Sequence, residues 1–205
     1  MTEPAPHPVL ILASGSSGRL SVLRAAGIAP EVVVSGVDET CDDGLDTETM
    51  VAELAERKAA AVATLRPDDL ILGCDSMLDF EGEALGKASS TARATAVWRR
   101  LAGNEGTLYT GHCLIDGRTG RTDRAVAATR VWFGTPTDAE LAAYVASGEP
   151  MQMAGGFSID GLGAPFIRGI NGDPSNVIGL SLPLLRRMLA GFGIAITDLW
   201  SAAAS

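Results

Sequence analysis

An aspartate and a lysine are brought together by the stretch LILGCDSMLDFEGEALGK, Leu70 to Lys87. Leu70 to Gly73 is a short apolar run that reads as a buried strand, and Asp75 lies just past it. A second extended piece, Met77 to Phe80, turns at Glu81-Gly82 and comes back to Lys87. An acid at the exit of a core strand with a lysine returned beside it suits handling phosphate and metal together. An aspartate at a strand end also serves simply to solvate a loop. Two further segments offer matching groups. Ser14-Gly15-Ser16-Ser17-Gly18-Arg19 follows a strand-like run from Val9 to Ala13 and opens a helix. Strand, small-residue turn and helix start is the geometry in which backbone N–H groups and serine hydroxyls hold an anion. It is not a Walker loop, because the GxxxxGK[ST] spacing is absent. Arg19 falls in the first helical turn, where the macrodipole favours an acid. It is either an exposed arginine on a capped helix or a cation with something negative bound beside it. The Asp38-Glu39 pair follows a strand from Glu31 to Ser35. It could ligate Mg²⁺ or Mn²⁺, or belong to the solvated acidic run of Asp42, Asp43 and Asp46.

The elements that must position these groups follow from hydrophobic spacing. Leu20, Val22, Leu23 and Ala26 give a short amphipathic helix closed by Gly27. A longer helix from Glu48 to Leu65 carries Val51, Leu54, Val62 and Leu65 on one face, and Lys58 falls within that stripe. A lysine there either snorkels to the edge or points into a cleft at an anion. Ser90 or Thr91 caps a helix with Ala94, Val97, Trp98 and Leu101 inward, ended by Gly103, with Trp98 read as core. Thr107 to Asp116 and Ala125 to Phe133 read as strands joined by the hairpin Gly117-Arg118-Thr119-Gly120. Thr137 to Glu140 is a capping box that starts a helix through Leu141, Tyr144 and Val145 to Gly148. A segment from Gly155 to Gly179 contains seven glycines, which suggests close backbone approach to a ligand or tight strand crossings. Pro183 begins a last amphipathic helix. No internal repeat or linker divides the chain, so residues 1–205 are expected to form one domain with frayed ends at 1–7 and 201–205.

Composition narrows the partners. At 205 residues the chain can bury a full core, and 46% hydrophobic with 20% charged residues is ordinary for a globular enzyme. No apolar run reaches the roughly 18 residues of a membrane span, and the N-terminus lacks the basic start of a signal peptide. The expectation is a cytoplasmic protein with no membrane partner. A net charge of −9 argues against nucleic acid. It leaves a nucleotide open, since a metal and a few local cations can reverse the field of one cleft. Cys41, Cys74 and Cys113 form no CxxC, and the only histidines are His7 and His112, so disulfide, zinc and most histidine chemistry is set aside.

In this order the segments resemble the Maf family of nucleoside triphosphate pyrophosphatases. The family's LASxSPRRxxLL is matched by LASGSSGRLSVL, Leu12 to Leu23. Its DE pair is matched by Asp38-Glu39, its LAxxKA by Leu54 to Ala59, and its LGxDT…GK by Leu72 to Ser76 and Gly86-Lys87. NVIGLSLPLLRRML, Asn176 to Leu189, looks like its C-terminal signature, and GCDSM and YTGHCLID match one branch most closely. The resemblance covers nearly the whole chain. It implies an α/β fold with an elongated, mixed, twisted sheet flanked by helices, two lobes around a central cleft.

The resemblance further implies metal-dependent hydrolysis of a nucleoside triphosphate between the α and β phosphates, with Mg²⁺ or Mn²⁺, in a house-cleaning role. Asp75 matches the family's proton acceptor. Ser14, Ser16, Arg19, Lys58 and Lys87 match its phosphate-binding set, and Glu39 with Asp75 its metal-associated acids. A homodimer is also what the family suggests. The match departs at SPRR, where Ser16-Ser17-Gly18-Arg19 lacks the proline and the first arginine. The positions that tune base choice correspond to Gly18, Ser76 and Asp160, which match neither the pyrimidine-preferring nor the 7-methyl-GTP-preferring branch. Asp160, able to accept hydrogen bonds from guanine N1–H and N2–H₂, tilts the expectation toward a purine or modified purine. Three rival readings stand beside this one. They are a non-catalytic nucleotide-binding regulator of septum formation, a phosphatase releasing orthophosphate, and a thiol enzyme built on Cys74, whose apolar strand favours a structural thiol.

Overall fold

The computed structural model describes residues 9–42 and 44–201. The chain forms β1 (Leu10–Leu12), α1 (Ser17–Ala25), β2 (Glu31–Val32), α2 (Thr47–Ala63), β3 (Leu70–Phe80), β4 (Glu83–Leu85) and α3 (Thr91–Leu101). β5 (Glu105–Asp116), β6 (Thr122–Phe133), α4 (Asp138–Ala146), β7 (Ile167–Asn171), α5 (Pro174–Ile178) and α6 (Leu182–Gly191) follow. Side-chain caps start the helices, those of α3 and α4 where sequence spacing predicts them. Ser16 caps α1, Asp46 caps α2, Ser90 caps α3, and Thr137 with Glu140 closes the reciprocal capping box of α4.

The seven strands form one mixed sheet in the order β2-β1-β3-β5-β6-β7, with β4 also paired to β3. β2 and β3 run parallel to β1, and β3, β5, β6 and β7 are antiparallel in turn. β3, β5 and β6 are long enough to run through both halves of the molecule. At one end of the sheet, α1 and α6 cover Leu12, Leu72 and Leu114 on one face with Leu23, Leu185 and Leu189. α2 covers Ile11, Ile71 and Cys113 on the other face with Ala55, Ala59 and Val62. At the far end, α3 and α4 pack on Leu78, Leu108 and Phe133. Trp98 is fully buried there, as expected of a core residue, with its Nε1–H donating to the Gly156 carbonyl at 2.6 Å. Two lobes thus share one sheet, as the resemblance implies. No helix among the described residues is long and apolar enough to cross a membrane.

Several readings change on the way from sequence to fold: the second strand is only Glu31–Val32, and Leu65 lies past α2 and is exposed. Leu70 to Gly73 and Met77 to Phe80 are one continuous strand, so Asp75 lies inside it and not just beyond it. The turn that follows is where expected, with Glu81 at φ 56° and Gly82 at φ 80°, the left-handed pair of a two-residue hairpin. The glycine-dense segment conceals β7 and α5, which no local periodicity announces. Of the tail read as frayed, Ser201 is anchored by its N–H to the Gly27 carbonyl at 2.8 Å. Residues 1–7, His7 included, and 202–205 lie outside the described residues.

Candidate active site

The site begins with a gap in strand pairing. β5 occupies one edge of β3 for most of its length. On the other edge, β1 pairs with Leu70–Leu72 and β4 with Leu78–Phe80, so Gly73 to Met77 have no strand beside them there. Into this gap opens a cleft of about 570 Å³, a volume suited to a small organic ligand. Side chains alternate across a strand. Asp75 and Ser76 therefore lie on opposite faces of the sheet while sharing the same opening.

On the Asp75 face, α2 lies almost in contact with the sheet. A Cβ at Gly73 would run into the Ala55 carbonyl oxygen, and one at Gly111, the residue opposite Asp75 on β5, into the Val51 carbonyl. These two glycines set the helix height. One turn beyond Leu54, Lys58 is then brought down to the carboxylate, and its Nζ donates to Asp75 Oδ1 at 2.6 Å. The same Nζ lies 2.6 Å from Glu39 Oε1, which reaches over from the loop after β2. Lys58 and Asp75 are both 7% exposed, so the lysine does not snorkel; it is sunk into the cleft wall between two acids.

On the Ser76 face, Arg19 enters from the first turn of α1. Its Nε donates to the Gly179 carbonyl at 2.9 Å, one terminal nitrogen to Ser14 Oγ at 2.8 Å, and the other to Ser76 Oγ at 3.0 Å. Ser76 in turn exchanges a hydrogen bond with Thr110 at 2.9 Å. Every partner is neutral, and Arg19 makes no salt bridge among the described residues although it is only 8% exposed. A buried guanidinium without a counter-charge is costly, and Arg19 is part of the cleft lining. Ser16 supports it from behind by capping α1 at the Arg19 amide. Lys87, exposed and likewise without a salt bridge among the described residues, lines the opposite wall, where its backbone bridges to Ala154.

Eight of the ten residues singled out from sequence therefore surround or support one cleft. Gly18 and Asp160 do not line it. Gly18 packs beneath the Ile178 carbonyl, which an added Cβ would approach to 2.9 Å. Asp160 is exposed on a segment held by Glu149. That carboxylate accepts from Tyr144 Oη, Ser158 Oγ and the amides of Leu162 and Gly163 at 2.7–3.1 Å. Burial pushes Glu149 up, but these donors outweigh it and hold it below the usual carboxylate range. Ser76 alone of the three base-choice positions faces the cleft. Sequence reasoning missed Thr110, which the β3–β5 register places opposite Ser76. It also missed Gln152, Met153 and Phe157 from the segment after α4, and Val177 from the five-residue α5, which line the cleft with no spacing to mark them. Cys74 is fully enclosed and burial pushes its thiol up to about 12, which removes it as a nucleophile.

Asp75 and Glu39 converge on one Nζ, so their nearest oxygens lie no farther apart than twice 2.6 Å. Two hard oxygen donors that already share one cation are of the type Mg²⁺ or Mn²⁺ takes, commonly one or two carboxylates with the shell completed by water and substrate phosphate. Among the described residues no group of three or more His, Cys, Asp or Glu offers a fuller set.

Comparison with known proteins agrees with the geometry. The family model described as Maf-like protein matches residues 9–192. The chain belongs to the Maf-like family. A nucleoside triphosphate pyrophosphatase of Streptomyces coelicolor is 54% identical over 203 residues, covering 98% of each chain. Relatives of the same description from Salinispora tropica and Mycobacterium sp. (strain JLS) are each 51% identical over 94% of this chain, covering 87% and 98% of their own lengths. Within this Maf-like chain, Ser14, Ser16, Arg19, Glu39, Lys58, Asp75, Ser76 and Lys87 all line the cleft at the gap in β3.

Proposed function

We propose that this Maf-like protein is a cytoplasmic nucleoside triphosphate pyrophosphatase. It hydrolyses the α–β phosphoanhydride with a divalent metal and releases a nucleoside monophosphate and pyrophosphate. The observation that carries the reading is the pairing across one cleft of two carboxylates with a buried arginine that has no counter-ion among the described residues. A triphosphate supplies the missing negative charge on one side and metal-ligating oxygens on the other. The names of the relatives support the same activity.

In this reading a water oxygen attacks the α-phosphorus as the bond from that phosphorus to the bridging oxygen breaks, and pyrophosphate leaves with the bond's electron pair. Asp75 accepts the water's proton, held in place by its position in the middle of β3. Mg²⁺ or Mn²⁺ held by Glu39 and Asp75 would acidify the water and polarise the phosphoryl oxygens. Arg19, Lys58 and Lys87 neutralise the charge that grows on pyrophosphate, the main electrostatic route in phosphoryl chemistry. Ser14 and Ser76 hold the Arg19 fork in plane, so it meets phosphate without reorganising. The purine preference drawn from Asp160 has no support from this geometry. The cleft wall also carries Met77, Phe157 and Val177, apolar surface that suits a nucleoside, with the Gln152 amide as a hydrogen-bonding group of both kinds.

The test is a panel of ordinary and modified triphosphates with Mg²⁺ and Mn²⁺, assayed separately for pyrophosphate and orthophosphate. Pyrophosphate release by the native enzyme, abolished in Asp75→Asn with nucleotide binding retained, is the expected result. Binding without turnover would favour the regulator, orthophosphate the phosphatase, and a fully active Asp75→Asn would remove the proton-acceptor role.

A further inference from the structure

We propose that Lys58 is a resident cation that holds Asp75 and Glu39 together in the ligand-free enzyme and is exchanged for the divalent metal when a triphosphate binds. The inference rests on the nucleotide reading above and gives its binding steps an order. The ammonium nitrogen is 2.6 Å from an oxygen of each carboxylate. A divalent ion bridging those oxygens would need to lie about 2.0–2.1 Å from each, closer than Nζ does, between the same two carboxylates that the ammonium now joins. The lysine and the metal therefore exclude one another. Without either, two carboxylates would face each other at the wall of a half-enclosed cleft, an arrangement that needs a counter-charge.

The three side chains differ in their freedom to move. Asp75 is fixed by a strand with neighbours on both sides of the gap. Glu39 has a side chain 63% exposed on an irregular loop, so it can follow a new cation. Lys58 has a four-carbon stem that can redirect its head by rotamer change alone. What it lacks among the described residues is an anion beyond Asp75 and Glu39 to turn toward. A triphosphate lying between Arg19 and Lys87 supplies one, and as Lys58 moves onto phosphate the two carboxylates are released to the metal. The same phosphate completes the metal's shell, to which the described residues offer two acidic ligands. Metal and nucleotide affinities are then coupled through Lys58, and the coupling is reciprocal.

Mn²⁺ binding to the full chain, read by water-proton relaxation and by thermal melting, tests this without turnover. The native enzyme should bind Mn²⁺ weakly by itself and give a ternary relaxation enhancement once inorganic tripolyphosphate, a probe without a base, is added. Lys58→Met should bind Mn²⁺ alone about tenfold more tightly than the native enzyme. It should melt lower in EDTA and recover with Mn²⁺, and Glu39→Gln in the same chain should cancel the gain. Lys58→Arg keeps the cation and should bind Mn²⁺ no better than the native enzyme, which serves if the methionine variant does not fold. Equal or weaker Mn²⁺ binding by Lys58→Met overturns the exchange, as does tight binding by Lys58→Arg or by the native enzyme without tripolyphosphate. Absence of pyrophosphate release with these binding results intact would remove the hydrolase reading and leave the exchange standing.

Discussion

His112 is predicted to make the fold acid-sensitive through one buried ring. It sits in the middle of β5, 1% exposed. Its Nδ1 lies 3.0 Å from the Thr110 carbonyl, and its Nε2 lies 2.9 Å from the Ser181 amide, the N-cap of α6. A carbonyl only accepts and an amide N–H only donates, so the ring is neutral with its proton on Nδ1. Burial pushes its pKa down from 6.5 to about 4, against the pull of the Thr110 carbonyl. Between those values the unfolded chain binds a proton that the native state refuses, so stability rises with pH across the window. The contribution is complete above pH 6.5 and is lost as pH falls toward 4. At about 1.4 kcal/mol per pH unit the interval is worth roughly 3 kcal/mol. Urea unfolding of the native protein and of His112→Gln at steps from pH 7.5 to 4.5 measures it. Glutamine can occupy both hydrogen bonds without titrating, and carboxylates that titrate in the same range contribute equally to both proteins. The native protein should lose about 2–3 kcal/mol more than the variant over this range. Parallel curves would refute the assignment of a neutral, proton-refusing ring.

Gly73→Ala should lift α2 from the sheet and destabilise the fold by about 1–3 kcal/mol or more, with pyrophosphatase activity falling further than stability because Lys58 retreats from Asp75; an active, stable variant would show that the helix height is not set there. Glu149→Gln leaves one acceptor oxygen for four donors, so it should cost about 1–3 kcal/mol and speed amide exchange at Leu162 and Gly163, which hydrogen-exchange mass spectrometry resolves. Thiol titration of the native enzyme should modify Cys41 alone, with all three cysteines reacting in urea, because burial raises Cys74 and Cys113 to about 12; inhibition that follows modification of Cys74 would reopen a thiol mechanism.

Much of this arrangement is legible in the sequence because it is local. Caps at Ser16, Ser90 and Thr137 are set by side chains three residues from the amides they satisfy, and the Glu81-Gly82 turn is set by its own backbone. Lys58 is legible as an anomaly in an apolar stripe, though not its destination, which depends on how low α2 rides over Gly73 and Gly111. Arg19 is the reverse case. Its place in a helix's first turn reads as a mild misfit, and only the distant Gly179 carbonyl and Ser76 reveal a guanidinium built into the wall. Asp160 does not line the cleft but lies on the segment pinned by Glu149, a long-range hydrogen-bonding arrangement that local spacing does not announce. β7 and α5 escape notice because their residues are chosen by the partners they meet, and five-residue elements have too few repeats to show a period.

The interrupted pairing along β3 also decides what kind of recognition the cleft can offer. The Leu70 amide donates to Val9 and the Leu72 carbonyl accepts from Ala13, so even-numbered residues turn their peptide groups toward that edge. By the same alternation the peptide groups of Cys74 and Ser76 continue along it with no strand to receive them. Water can satisfy them in an empty cleft, but a ligand that displaces the water and offers nothing in return forfeits about 1–3 kcal/mol for each group left dry. Part of the choice among ligands is thus written in peptide bonds, which no side-chain exchange at Ser76 can erase. Grafting another branch's side chains onto this scaffold would inherit that main-chain preference along with the new contacts.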